Sequence, residues 1–163
     1  MVFAPLAVVI LLVAACTGSS RPSAGVSGGA VASVASDGCA GQLPVSPLPV
    51  WARAGFNPPD QAMPHVMGEA GNIVAIMWAA RDALHSPPLP EVGNKILWVS
   101  RIPFVAPNPL VITATLADST RTATVSVAGG PGPSTIDLPA PGCWTLHLSW
   151  SGHTDELRLR YVA

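Results

Sequence analysis

Alternation of apolar and polar residues dominates the C-terminal part of the chain. Residues 122–127 place small and branched apolar side chains on one side and hydroxyl groups on the other. Residues 143–150 alternate more sharply, and residues 156–162 repeat the pattern with arginines between the apolar positions. Because a period of two is typical of strands with one buried face, we predict half-buried β-strands here. The side chains predicted to point into the core are Ala123, Val125, Val127, Trp144, Leu146, Leu148, Trp150, Leu157, Leu159 and Tyr161.

Three segments further upstream are mostly apolar. Residues 72–78, 95–101 and 109–116 are rich in valine, isoleucine, tryptophan and threonine. We predict strands covered on both faces, with Trp78 and Trp98 in the core. Clusters of glycine, proline, serine and aspartate separate the strands and predict turns. Several short strands at a spacing of roughly ten residues favour an antiparallel β-sandwich over an α/β fold.

Proline is concentrated in residues 43–51, 55–60 and 86–93. Because proline cannot donate a hydrogen bond to a strand ladder, we predict that these segments are edge strands or loops.

Residues 139–163 resemble the end of an immunoglobulin-like domain. A Pro-Gly turn leads there to an aromatic residue that opens a strand, and a final hairpin follows. The resemblance implies an all-β, antiparallel immunoglobulin-like β-sandwich, which we assign to residues 39–163.

The N-terminal segment has the features of a signal peptide. Residues 2–15 are uncharged and mostly apolar, but a membrane-spanning helix needs about 20 apolar residues. Residues 13–16, Val-Ala-Ala-Cys, resemble the lipobox of bacterial lipoproteins, and the chain is similar to small exported actinobacterial lipoproteins of uncharacterised function. The resemblance implies cleavage before Cys16, diacylglyceryl transfer to its sulfur, and anchoring at the extracytoplasmic face of the cell membrane. The alternative is a buried helix of a cytosolic domain that contains a cysteine.

Composition divides the rest of the chain into a tether and a domain. Residues 17–38 are mostly Gly, Ser, Ala and Val, with one Arg, one Asp and no aromatic residue. Such a segment cannot bury enough apolar surface to offset its ordering entropy, and it would hold a domain roughly 25 Å from its anchor. We therefore expect a signal peptide at 1–15, a lipidated cysteine and tether at 16–38, and the β-sandwich at 39–163.

The chain has three cysteines. If Cys16 carries lipid, an exported chain is expected to pair Cys39 with Cys143, closing a loop of about 100 residues. The alternative is that both are unpaired and pack as small apolar side chains.

The net charge and the absence of catalytic motifs from the predicted domain indicate which classes of function are not expected. The net charge of −1 provides no basic stripe for nucleic acid, so we expect no such partner. The predicted domain at 39–163 lacks the Gly-x-Ser-x-Gly, His-Glu-x-x-His, phosphate-loop and Cys-x-x-Cys motifs, so we predict neither an enzyme nor a cofactor. Asp155 and Glu156 are adjacent, so on a strand they point to opposite faces, and we expect them to solvate a hairpin.

One group of residues suggests a metal site. Met63, His65 and Met67 occupy alternate positions and would line one side of an extended segment. Thioether and imidazole groups suit copper in an oxidising compartment. His153 lies in a Ser-Gly-His turn similar to the Asp-Gly-His turn that supplies a ligand in exported copper-binding sandwich proteins, although Ser151 here replaces the aspartate. The alternative is that the methionines fill core gaps and both histidines lie in loops or turns.

Trp51 lies between proline-rich stretches and is a candidate for a partly exposed binding surface for a peptide, a glycan or an envelope protein. Its alternative is ordinary core packing. We therefore expect a lipid-anchored extracytoplasmic binding or structural module of the cell envelope, and the alternative is a copper-binding protein that uses Met63, His65 and Met67.

Overall fold

The computed structural model describes residues 38–39, 42–78 and 82–163. The predicted signal peptide, Cys16 and nearly all of the tether lie outside the described residues. The described part is all-β, with a single 3-10 turn at Val50–Ala52 and no α-helix. The strands are β1 (Val45–Pro47), β2 (Ala62–Met67), β3 (Ile73–Ile76), β4 (Leu84–His85), β5 (Lys95–Ser100), β6 (Leu110–Leu116), β7 (Thr122–Val127), β8 (Pro133–Thr135), β9 (Gly142–Trp150) and β10 (His153–Val162).

The strands form two five-stranded sheets. The first sheet has the order β1-β2-β3-β5-β8, and the second has the order β4-β10-β9-β6-β7. Every pair is antiparallel except β4 and β10, which are parallel. With β3, β5 and β8 taken as strands A, B and E, and β6, β9 and β10 as C, F and G, both orders correspond to those of immunoglobulin-like sandwiches. The predicted all-β fold class is confirmed.

The main core lies between the two sheets and contains inward side chains from both. Its members from β9 and β10 are those that the alternating pattern predicts, and all of them are at most 2% exposed. Trp98 of β5 is 1% exposed, as predicted. On β7 the predicted inward residues are also correct, although Ala123 and Val125 are only partly buried because β7 lies at the edge of its sheet.

A smaller apolar cluster covers the outside of the first sheet. We call it the outer cluster, and it is built on Val74 and Ile76 of β3. The chain between β1 and β2 folds over these residues, and Arg53 Nε donates to the Leu48 carbonyl at 2.7 Å to hold that segment in place. The other members are Leu48, Trp51, Ala52, Phe56, Met63, Leu97 and Val99.

An apolar strand is buried on both faces only where the outer cluster packs on its outer face. All four residues of β3 are buried, as predicted for this segment. The same prediction is wrong for β6, because Thr113 and Thr115 are exposed. Nothing comparable to the outer cluster lies over them among the described residues, so β6 is an ordinary half-buried strand.

The proline-rich segments lie where they were expected. β1 falls within residues 43–51 and is an edge strand of the first sheet, whereas 55–60 and 86–93 form turns and loops. The last hairpin turns more tightly than predicted. Ser151 and Gly152 both have positive φ, at 46° and 82°, as a two-residue hairpin turn requires, so His153 already belongs to β10.

Asp155 does not solvate the hairpin, and that prediction is wrong. It is 5% exposed, and its carboxylate accepts hydrogen bonds from the backbone N–H groups of Ala70 at 2.8 Å and Asn72 at 2.9 Å. A third bond comes from the N–H of Glu156 at 2.8 Å. A Cβ atom at Gly68 would overlap this carboxylate. Asp155 of the second sheet therefore holds the β2–β3 turn of the first sheet.

Cys39 and Cys143 form a disulfide, as predicted, with a Cα–Cα distance of 5.7 Å. Cys143 is the second residue of β9, and because Trp144 points into the main core, Cys143 lies on the outer face of the second sheet. The bond therefore attaches the start of the described domain to that face.

Tyr161 also connects the sheets. Its hydroxyl donates to the carbonyl of Ile136 at 2.7 Å in the main core. Burial, and to a smaller extent the nearby charge of Asp137, raise the pKa of Tyr161. The hydroxyl therefore stays protonated and remains a hydrogen-bond donor.

Candidate functional site

An open groove of about 370 Å³ lies beside the edge of the first sheet. Such concave sites, with apolar walls and a few polar groups, are where small ligands and peptide segments bind. Its lining residues are Val45, Gln61, Ala62, Met63, Pro64 and Trp78.

The strand register explains why the groove forms here. Val45 of β1 pairs with Pro64 of β2, and β1 is only three residues long. On the other side of β2 the N–H of Met77 donates to the Pro64 carbonyl at 3.0 Å. Met77 is buried in the main core. Because successive strand residues point to opposite faces, Trp78 turns to the outer side of the sheet.

Trp78 is the aromatic residue of the described groove lining. The prediction that it is a core residue is wrong, because it is 48% exposed. The ammonium group of Lys95 lies 5.8 Å from the centroid of its ring, within the range of a cation–π contact. Its indole N–H has no hydrogen-bond partner among the described residues. The ring therefore offers a flat apolar face and a free donor to a ligand.

Met63 and Gln61 form the polar and polarizable side of the groove. The amide nitrogen of Gln61 donates to the sulfur of Met63 at 3.2 Å. Met63 also packs against the outer cluster, which fixes the position of its side chain. A rigid aromatic ring opposite a thioether and an amide can stack on a planar or apolar group and form a hydrogen bond to its edge.

The three residues of the predicted metal site do share one side of β2. His65 pairs with Ile76, and Met67 pairs with Val74. Both partners belong to the outer cluster, so the predicted alternation is correct. His65 is 8% exposed, and its Nδ1 lies 2.9 Å from the carbonyl oxygen of Met63.

His153 is not part of that group, because it belongs to β10 in the second sheet. Its ring lies 6.0 Å from that of Trp150, centroid to centroid, in a tilted arrangement. Within the described ranges no group of three or more His, Cys, Asp or Glu residues could hold a metal ion. Sequence spacing alone could not show which sheet each histidine joins.

Trp51 lies in the 3-10 turn and is partly buried against the outer cluster. It does not line the groove, whose exposed tryptophan is Trp78. One sequence signal marks the groove in retrospect, because the prolines on both sides of Val45 indicate a sheet edge.

Cys16 lies outside the described residues. No described helix has both the length and the apolar character needed to cross a membrane. Comparison of the chain with protein-family models, with curated proteins and with solved structures finds no match.

Proposed function

We propose that this protein is a binding module of the cell envelope, anchored by lipid on Cys16 and holding its ligand in the Trp78 groove. The groove carries the proposal, because it presents a half-exposed tryptophan with an unused donor beside a fixed thioether. The lipobox-like residues 13–16 support the extracytoplasmic location. The Cys39–Cys143 disulfide supports it as well, because such bonds persist in oxidising compartments.

The chemistry of the groove favours an extended or ring-shaped ligand of low charge. Lys95 is a charged side chain placed against Trp78, and the lining residues that the structure describes are uncharged. A sugar ring or a proline-rich peptide would stack on the indole and leave its polar edge to Gln61. The ligand is therefore expected to be an envelope glycan or an extended segment of an envelope protein.

Photo-crosslinking in intact cells tests the groove. A benzophenone amino acid at position 78 should give discrete adducts, because the side chain at 78 lies in the binding surface. The matched control is the same amino acid at Thr113, which is exposed on the outer face of the other sheet. Adducts are resolved by electrophoresis and identified by mass spectrometry. Identical adducts at both positions, or none at position 78, would contradict a ligand in the groove.

The anchor is tested separately with Cys16→Ser. Without the thiol, no diacylglyceryl group can be attached, so the protein should leave the detergent phase in Triton X-114 partitioning or accumulate as an unprocessed precursor. Ser19→Ala, three positions further along, should partition like the wild type. A Cys16→Ser protein that stays in the detergent phase would show that the anchor has been assigned to the wrong residue.

The alternative function is copper binding, and one observation favours it: Met63, His65 and Met67 share one side of β2. However, Met63 already accepts a bond from Gln61 and packs in the outer cluster. We therefore expect the wild-type protein and the triple variant Met63→Leu, His65→Ala, Met67→Leu to take up Cu(I) equally weakly. Calorimetric titration measures the uptake. Tight binding of about one equivalent, with a rise in melting temperature that the triple variant lacks, would support the copper protein instead.

A further inference from the structure

Over the described residues the two sheets have four edges, and three of them are protected. β1 contains Pro47 and follows Pro44, and β8 has three residues that begin with Pro133. β4 has two residues and is followed closely by Pro87. Short strands and proline are ways in which proteins prevent a sheet edge from pairing with another chain.

β7 is the fourth edge and has none of these features. It is six residues long, Thr-Ala-Thr-Val-Ser-Val, with neither proline nor a charged side chain. It ends the order of the second sheet. An edge strand with this composition is a template for a further strand.

The hydrogen-bond pattern shows which backbone groups of β7 face outward. The N–H of Leu116 donates to the carbonyl of Arg121 at 3.0 Å, which makes this the first bonded pair of the β6–β7 ladder. Bonded and non-bonded pairs alternate in an antiparallel ladder. Ala123 and Val125 therefore bond to β6, and the N–H and C=O groups of Thr122, Thr124 and Ser126 point to the free side.

The β6–β9 ladder agrees with this alternation. The N–H of Ala117 donates to the carbonyl of Cys143 at 2.8 Å, so Thr113 and Thr115 bond to β9. These two residues pair with Thr124 and Thr122 of β7. A strand residue bonds to one neighbour at a time, so neither Thr122 nor Thr124 bonds to β6.

We propose that β7 pairs with β7 of a second copy, so that the second sheet continues across a two-fold axis. The strand is complementary to itself in the antiparallel direction when Thr124 faces Thr124 of the second copy. Thr122 then faces Ser126 of the second copy, and every outward N–H and C=O group of these residues finds a partner. The arrangement is a closed, isologous dimer.

The side chains favour the same register. Ala123 would face Val125 of the second copy on the inner side, where both residues are half-buried at the open margin of the main core. Pairing covers this margin with a small residue opposite a larger one. On the outer side, threonine and serine hydroxyls face one another without a like-charge contact. The strand edge is narrow compared with a stable interface of about 1,200–2,000 Å², so the dimer should be weak and readily reversible.

Cysteine cross-linking in intact cells tests the pairing on the full chain. Thr124→Cys should give a disulfide-linked dimer on mild oxidation with diamide, because paired Cα atoms about 5.5 Å apart suit a disulfide. Thr113→Cys is the matched control, since it has the same residue type and the same exposed face one strand further from the edge. Non-reducing electrophoresis should show several-fold more dimer for Thr124→Cys. Equal yields, a monomer only, or an adduct with a different protein would overturn the proposal.

Charge substitution provides a second test that does not rely on cross-linking. Thr124→Lys and Thr124→Glu proteins should each sediment as monomers at concentrations where the wild type dimerises, because like charges face each other at the axis. An equimolar mixture of the two should restore the dimer. Failure of the mixture to associate, with both variants folded by near-ultraviolet circular dichroism, would contradict the register. Neither test depends on the Trp78 groove.

Discussion

Replacing Cys39 and Cys143 together by alanine should lower the free energy of unfolding by about 4–5 kcal/mol. The disulfide spans a sequence separation of 104 residues, so its removal returns to the unfolded chain the entropy that closing this long loop had taken away. Both residues are buried, and the bond attaches the segment before β1 to the second sheet. Because a domain of this size has a total stability of about 5–15 kcal/mol, the double variant should be marginal at 37 °C.

Denaturant titration of the wild type with and without a strong reductant measures the same quantity without a substitution. The reduced wild type and the double alanine variant should unfold at similar midpoints. Thr113→Ala, at an exposed position of β6, is the control for general effects of substitution. A loss below about 1 kcal/mol would mean that the unfolded chain is already restricted by other contacts.

The buried faces of the C-terminal strands could be predicted because each has one open side. In β9, for example, Leu146 is buried and His147 is exposed, and this difference appears in the sequence as a period of two. The disulfide could also be predicted, since two cysteines remain once Cys16 is set aside. In these cases the residues that the local pattern assigns to a buried face or to a cysteine pair are the residues that the tertiary structure buries or joins.

The outer faces of the apolar strands could not be predicted, since their cover comes from elsewhere in the chain. β3 and β6 have similar composition, but only β3 lies under the outer cluster. Trp78 was assigned to the core because it lies in an apolar segment, residues 72–78. The strand leaves its sheet there, and the ring lies in the groove instead. Periodicity shows which residues share a side, whereas packing by other parts of the chain determines whether that side is buried.

The free edge at β7 follows from topology as well. The sequence predicts a strand at 122–127, but it does not show that this strand ends its sheet. Only the pairing pattern identifies Thr122, Thr124 and Ser126 as the residues whose backbone groups have no strand partner in the part of the chain that the structure describes. The candidate self-association surface is therefore an inference from structure alone.

Asp155→Ala should lower the free energy of unfolding by about 3–5 kcal/mol, because it leaves three backbone donors without their acceptor in a buried site. Those donors are the N–H groups of Ala70, Asn72 and Glu156. The first two belong to the turn between β2 and β3, more than 80 residues away in sequence. The local loss of protection from hydrogen exchange should therefore be largest in the turn between β2 and β3.

The matched control is Glu156→Ala, at the next position on the opposite face of β10. Its side chain is only half-buried, so its removal should change stability by about 0.5 kcal/mol or less. Hydrogen exchange gives a local readout: the amides of Ala70 and Asn72 should exchange much faster in Asp155→Ala and at the wild-type rate in Glu156→Ala. Equal losses of stability, or unchanged exchange at these amides, would show that Asp155 does not connect the two sheets energetically.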